Sequence, residues 1–92
     1  MFAIAFDLNL AETARAHPRG SRQAYLDIEV TLGRFGFRRV QGSVFVTDDD
    51  DMARLFRAME ALKSLRWLPA SVRDIRTFRI DQWSDFTSII KE

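Results

Sequence analysis

The stretch FAIAFDL, residues 2–8, alternates strictly between large apolar side chains and small or acidic ones. A repeat of two is typical of a strand with one deeply buried face. The buried side would consist of Phe2, Ile4, Phe6 and Leu8. The opposite side carries only Ala3, Ala5 and Asp7, which predicts a surface that another molecule can approach closely.

The next part of the chain predicts a connector, a helix and a hairpin. Residues 11–20 form the connector, and apolar side chains then recur at helical spacing over residues 21–35. Ser21 is a suitable N-cap for this helix, and Gly36 is a suitable stop signal. Residues 37–47 contain two β-prone stretches around a Gln-Gly turn, so we expect two short strands there.

The second half of the chain predicts a helix, a strand and a tail. The helix begins at the acidic run Asp48–Asp51 and ends at Pro69. Its apolar stripe comprises Met52, Leu55, Phe56, Met59 and Leu62. Residues 72–80 predict a strand with charges on both faces, and Ser84 is a suitable cap for a short amphipathic helix in the tail.

This order, β-α-β-β-α-β, is that of the ferredoxin-like fold, an α+β architecture with a four-stranded antiparallel sheet and both helices on one face. We expect a single domain over residues 1–92, with a short C-terminal tail at about residues 82–92. The sheet face away from the helices would be bare in one copy. Together with the eight Phe and two Trp of so short a chain, this predicts a homodimer.

Composition excludes several classes of protein. The chain has no cysteine, which excludes disulfide scaffolds and thiolate metal sites. No apolar run approaches the roughly 18 residues of a membrane helix, so no membrane partner is expected. The N-terminal MFAIAFDLNL lacks a basic region and is interrupted by Asp7, so it does not resemble a signal peptide, and a cytoplasmic location is expected.

Three polar residues of the predicted sheet are candidates for chemistry. Asp7 lies near the end of its strand, where it either hydrogen-bonds a neighbouring turn or acts in catalysis. Asp74 lies between two arginines, either as a salt-bridged surface carboxylate or as a residue that orients an arginine or supports Asp7. Ser43 would face the same side as Asp7, as would Phe45, if Val44 and Val46 face the helices. The alternative for Ser43 is a purely structural role.

Two further polar features have simpler interpretations. The run Asp48–Asp51 lacks the alternating acids and the glycine of a calcium loop, so we interpret it as an N-cap with charges that favour the helix dipole. His17 is the only histidine and lies beside Pro18 in the connector, so we expect a solvated loop side chain. A catalytic histidine pair is therefore excluded within one chain.

Arginines are concentrated in two stretches, although the formal net charge is only +1. Residues 15–39 contain six arginines and two acids, and residues 66–79 contain four arginines and Asp74. The planar fork of arginine matches phosphate, so these stretches are candidate contacts to a nucleic-acid backbone. A solvated face with ion pairs is the alternative interpretation.

Three motifs, AIAFDL near the N-terminus, GSVF in the middle and SVRDIR late in the chain, together resemble the virulence-associated protein D family. The resemblance runs essentially from end to end, and that family is similar in turn to the CRISPR-associated Cas-two endoribonucleases. The resemblance to the virulence-associated protein D family implies a ferredoxin-like homodimer with endoribonuclease activity, acting as the toxin of a toxin–antitoxin pair. By motif match, Asp7 would be the catalytic aspartate, and Ser43 and Asp74 would be supporting active-site residues.

This resemblance leads to a specific hypothesis with RNA as the substrate and an antitoxin protein as a partner. Asp7 of each of two chains would approach the dyad. There the pair either holds Mg²⁺ or another divalent cation, or shares a proton and acts as acid or base. No organic cofactor is expected. The scissile phosphate would be neutralised by Arg73, Arg76 or Arg79. The two sheets would meet face to face or edge to edge across Ala3, Ala5 and Phe45. Trp83 and Phe86 would either stack on bases or seal the dimer.

The main alternative is a non-catalytic nucleic-acid-binding module on a Cas-two-like scaffold, because ferredoxin-like folds host many proteins that are not enzymes. Such a module would bind nucleic acid in a salt-sensitive manner and leave it intact. A small-molecule regulatory domain is a weaker third hypothesis, since the chain has only four glycines and no glycine-rich ligand loop.

Overall fold

A computed structural model describes all residues from Met1 to Glu92. The elements in chain order are β1 (Phe2–Leu8), α1 (Leu10–Ala16), α2 (Gly20–Gly33), β2 (Arg38–Gln41), β3 (Val44–Thr47), α3 (Met52–Lys63), α4 (Leu68–Ser71), β4 (Val72–Arg79) and α5 (Thr87–Lys91). The strands form one antiparallel sheet in the order β2-β3-β1-β4. This is the strand order of a ferredoxin-like α+β fold, as predicted. None of the helices has the length and apolar character needed to span a membrane.

The core lies between one face of the sheet and helices α2 and α3. Strand β1 contributes its whole predicted apolar side, and Ile4 is completely buried. The helices contribute narrower stripes than their sequences predict, namely Ala24, Ile28 and Leu32 from α2 and Leu55, Ala58 and Leu62 from α3. Met52 and Phe56, which were expected in the stripe of α3, are exposed.

Strand β3 presents the opposite faces from those expected. Phe45 pairs with Ile4 across β1 and β3, so both side chains lie on the helix-covered face, where Phe45 is buried. Its ring stacks on that of Phe6 at a centroid distance of 6.1 Å. Val44 and Val46 therefore face away from the helices. The expectation that Phe45 contributes to an exposed contact surface for a second copy is wrong, because the ring is part of the core.

Several predicted element boundaries are also wrong, each for a local reason. Residues 11–20 are not a simple connector, because α1 forms there behind the N-cap Asn9. Ser21 lies inside α2 and does not cap it. Helix α3 ends at Lys63, and Pro69 lies in the first turn of α4, where its missing amide hydrogen costs nothing. Ser84 caps no helix; the carboxylate of Asp85 accepts from the Thr87 amide instead.

The acidic run before α3 acts as the sequence predicts. The Asp51 side chain is the N-cap and accepts hydrogen bonds from the amides of Ala53 and Arg54, at 2.9 and 3.4 Å. The other three carboxylates are paired within the chain: Asp48 with Arg38, Asp49 with Arg54 and Asp50 with the N-terminal ammonium group. No group of three or more His, Cys, Asp or Glu is arranged to hold a metal ion.

Replacing the capping carboxylate should measurably destabilise the protein. We expect Asp51→Ala to lower the free energy of unfolding by about 1 kcal/mol, because two amides of the first turn lose their acceptor. Urea denaturation followed by circular dichroism measures this change. The control is Asp51→Asn, because the asparagine side chain retains a capping oxygen but carries no charge. An equal loss in both variants would show that the run acts through charge and not through capping.

Candidate active site

The sheet face away from the helices, called the open face below, is organised in three rows of side chains across neighbouring strands. The first row is Arg38, Val46, Ala3 and Phe78. The second row is Gln41, Val44, Ala5 and Arg76. The third row, where only β1 and β4 are still paired, is Asp7 and Asp74. The polar residues therefore gather at the end of the sheet where β1 finishes and β4 begins.

Asp7 and Asp74 are direct cross-strand neighbours, which the sequence did not specify. Residues directly opposite in an antiparallel pair have Cβ atoms about 4.5–5.5 Å apart. This pairing ends the continuous register of β1 with β4 that begins at Phe2–Arg79; a β-bulge follows it, because Leu8 pairs with Val72 and leaves Arg73 as the extra residue. The bulge turns Val72 to the core side of Leu8, whereas Asp74 faces the open side by the regular alternation that it shares with Arg76.

The two carboxylates have different surroundings. Asp74 is paired with Arg76, whose Nε atom donates to both carboxylate oxygens at 3.1 and 3.2 Å. The predicted salt-bridged state of Asp74 is therefore present, and Asp74 also holds the Arg76 guanidinium on the open face. The side chain of Asp7 is exposed and has no hydrogen bond or ion pair within the chain. The alternative that Asp7 is fixed to a neighbouring turn does not apply.

Ser43 lies at the same end of the sheet but on the other side of it. Its carbonyl oxygen accepts a hydrogen bond from the Phe6 amide at 3.1 Å, so Ser43 stands opposite Phe6 and not opposite Asp7. The register between β1 and β3 ends at Ala5 and Val44, and the next pair in it is Phe6 and Ser43. Position 43 therefore lies on the same side of the sheet as Phe45. The expectation that Ser43 and Asp7 share a face is wrong. The two residues are still close, because Phe6 and Asp7 are consecutive.

The three arginines expected to bind phosphate lie in different places. Arg76 is beside Asp74, and Arg73 is the exposed bulge residue next to it. Arg79 lies five residues beyond Asp74 on β4, which is roughly 16 Å from Asp74 along an extended strand. It pairs with Phe2, and its guanidinium carbon lies 5.1 Å from the centre of that ring. The structure thus brings Arg73 and Arg76 to Asp7 and leaves Arg79 at the opposite end.

The C-terminal tail lies beside the open face, which was expected to be bare in a single copy, and forms a cleft with it. Residues 83–87, together with Ile90 and Lys91, line a cleft of about 570 Å³ against Val40, Gln41 and Val44. The cross-strand pair Ala3 and Val46 is buried although it lies on the open face. The chain after β4 therefore passes beside the β2–β3 half of this face with its own side chains exposed, and Asp7 on the β1–β4 half is accessible. The sequence shows an amphipathic tail, but nothing in it indicates where the tail packs.

Comparison with known proteins places the chain in a family. It is 59% identical over 91 residues to the "Endoribonuclease VapD homolog" of Neisseria gonorrhoeae, covering 99% of both chains. It is 56% identical to "Endoribonuclease VapD" of Haemophilus influenzae, covering 99% of both chains, and 44% identical to that of Dichelobacter nodosus, covering 99% of this chain and 98% of the relative. The chain belongs to the VapD family. These identities confirm the resemblance inferred from the AIAFDL, GSVF and SVRDIR motifs. No family model matches the chain.

In this VapD family member, His17 is part of a buried cluster and not a solvated loop side chain. It is 5% exposed, and its ring packs edge-on against Trp67 at a centroid distance of 4.9 Å. The Arg19 amide donates to Nδ1, so the proton is on Nε2, which donates to Asp27 at 2.6 Å. This hydrogen bond from His17 holds the pKa of Asp27 below its ordinary value. The cluster joins the end of α1 to α2 and to the segment before α4.

Removal of the Asp27 carboxylate should destabilise this cluster in a pH-dependent way. At pH 7 we expect Asp27→Ala to lower the free energy of unfolding by about 1–3 kcal/mol, because the buried Nε2–H of His17 loses its acceptor. Since the pKa of Asp27 is lowered by folding, its contribution is present above the unfolded value of about 3.9 and is lost as the pH falls through the folded value. Urea denaturation at pH 7 and pH 3 measures the difference.

The matched control is Asp81→Ala, because Asp81 is exposed and has no ion pair. This variant should have nearly the stability of the wild-type protein at both pH values. A loss for Asp27→Ala that is equally large at pH 3 and pH 7 would contradict the role given to the ionised carboxylate.

Proposed function

We propose that this protein is an endoribonuclease and that Asp7 is its catalytic carboxylate. The observation that carries the proposal is an exposed, unpartnered aspartate beside the Asp74–Arg76 pair, on the accessible half of a sheet face. Similarity over the full chain to relatives named endoribonucleases supports the substrate class.

Each residue of the cluster has a role that fits phosphodiester cleavage. The Asp7 carboxylate would accept the proton of the attacking oxygen, since it has no competing partner. Asp74 holds Arg76 through Nε alone, so the terminal Nη groups remain free to donate to the phosphate. Arg73 adds positive charge next to them. The Ser43 hydroxyl would donate to a phosphate oxygen from the other side of the sheet end.

The donor set is suitable for a magnesium-type cation, although one chain provides few ligands. Mg²⁺ is commonly held by one or two carboxylates, with water and substrate phosphates completing its shell. As the alternative to accepting a proton, we propose that Asp7 would hold such a cation, which would supply charge neutralisation at the phosphate. Asp74 would contribute only if it released Arg76.

We further propose a homodimeric, cytoplasmic protein that acts as the toxin of a toxin–antitoxin pair. Strand β4 supports the homodimer, since it is an edge strand with an unpaired backbone and an exposed Phe78. The resemblance to the virulence-associated protein D family supports the toxin role. Sedimentation measures the dimer, and growth arrest of a host that expresses the wild-type chain but not Asp7→Ala measures toxicity.

The activity can be tested with purified protein. We expect single-stranded RNA to be cut at internal positions and DNA of the same sequence to remain intact. Addition of EDTA should reduce the cutting, and excess Mg²⁺ should restore it. If RNA is bound in a salt-sensitive manner but stays intact after long incubation with Mg²⁺, the protein is a binding module and not a nuclease.

A further inference from the structure

We propose that the cleft between the C-terminal tail and the open face binds one unpaired nucleobase of the RNA substrate. The proposal rests on the endoribonuclease function and assigns a specific part of the surface to substrate recognition. The cleft has about 570 Å³ of space. Its tail side chains remain accessible, with Trp83 exposed by 42% and Phe86 by 61%.

The lining of the cleft has the chemistry that a nucleobase requires. Trp83 and Phe86 provide aromatic surfaces, and aromatic side chains stack on any base because every base has a π-face. Gln41 and Lys91 provide polar groups that can reach a base edge. A purely apolar ligand would leave these polar groups without partners, so a planar ligand with polar edges fits better.

The cleft is also at the right distance from the proposed catalytic residue. Val44 on its floor is directly opposite Ala5, which lies two residues before Asp7 on the same face of β1. From the strand spacing and the rise per residue, position 44 is about 8 Å from Asp7. Ala5 is a small residue between Val44 and Arg76 in the same row. A base in the cleft would thus place its own phosphate over Ala5, between Asp7 and Arg76.

Charge decides which part of a nucleotide enters the cleft. The Thr87 side chain and, to a smaller extent, the Thr87 amide at 2.9 Å donate to the Asp85 carboxylate and lower its pKa, so this lining residue is negatively charged. Lys91 offsets this charge, so the cleft has no net positive charge to hold a phosphate, whereas Arg73 and Arg76 beside Asp7 favour one. The base must also be unpaired, because bases inside an A-form duplex are stacked and inaccessible to such a cleft.

Fluorescence anisotropy with a short labelled single-stranded RNA tests the proposal. The proteins carry Asp7→Ala, so that the RNA stays intact during the measurement. We expect the additional change Trp83→Ala to weaken binding about tenfold and Trp83→Phe to weaken it much less, because phenylalanine retains a stacking surface. A set of RNAs with one abasic position at a time should identify a position where the base is needed. At that position, removal of the base should not change the affinity of the Trp83→Ala protein for the RNA.

The outcomes separate this proposal from the proposed function. If the wild-type protein cuts RNA, but Trp83→Ala binds RNA normally and keeps its sensitivity to every abasic position, the cleft does not hold a base and the nuclease assignment stands. If Trp83→Ala changes only the oligomeric state, the tail seals a dimer and the proposal is overturned. A third outcome is that no RNA is cut, but removal of one base weakens binding to the protein with Trp83 and not to the Trp83→Ala protein. In that case the base site stands and the nuclease assignment fails.

Discussion

Asp7→Ala is expected to reduce RNA cleavage by a factor of about 100 to 10 000, the usual contribution of a positioned acid or base. The fold should be unaffected, because the Asp7 side chain is exposed and bonded to nothing in the chain. Its removal also relieves the repulsion of two like charges on directly opposite positions, Asp7 and Asp74. Cleavage rates of a labelled RNA, with circular dichroism spectra and denaturation curves of both proteins, measure these effects.

Two control variants make this prediction specific. Asp7→Asn retains the shape of the side chain but not its negative charge, so it should lose nearly as much activity as Asp7→Ala. Glu60→Ala removes an exposed carboxylate on α3, on the other side of the molecule from the open face, and should cleave RNA at the wild-type rate. Full activity of Asp7→Ala would remove Asp7 from the catalytic site.

Phe45→Ala is expected to cause the largest loss of stability, about 3–5 kcal/mol, because it removes a fully buried aromatic ring and leaves a cavity. For a chain of 92 residues the whole free energy of unfolding is roughly 5–14 kcal/mol, at 0.05–0.15 kcal/mol per residue. The variant should therefore be partly unfolded or close to it. Chemical denaturation followed by circular dichroism measures the change.

The matched control is the same deletion on the open face of the sheet. Phe78 is 48% exposed, so Phe78→Ala should cost less than about 1 kcal/mol. The pair of variants tests which face of β3 is buried. A small loss for Phe45→Ala would mean that Phe45 faces outwards and that the register of β1 with β3 is different.

The strand at residues 2–8 was predictable because its alternation is strict over seven positions and leaves one assignment of faces. The helices α2 and α3 were predictable from apolar spacing, although only the side chains that meet the sheet are buried. Helix α1 was missed because it has no apolar stripe. The Asn9 side chain accepts from the Glu12 amide, and the Thr13 hydroxyl donates to the Asn9 carbonyl. An asparagine followed three residues later by a glutamate was the available signal.

The faces of β3 and β4 could not be predicted from their residues. The sequence VFVT is apolar at three consecutive positions, so either alternation would bury a suitable set of side chains. Only pairing with β1, which aligns Phe45 with Ile4, decides between them. In β4 the bulge at Arg73 changes the alternation only at the start of the strand, whereas Arg79 lies on the side of Phe2 in the regular part and is exposed there.

The sequence by itself determined the order of the elements, the buried side of β1 and the family, because these depend on local spacing and on motifs. It also identified Asp7, Ser43 and Asp74 as candidates, but it did not place them relative to one another. That required the tertiary structure, since register is set by contacts between strands that are distant in the chain. The fold pairs Asp7 with Asp74, turns Ser43 to the other face, buries His17 and brings the tail beside β2 and β3. Each of these depends on packing partners from another part of the chain.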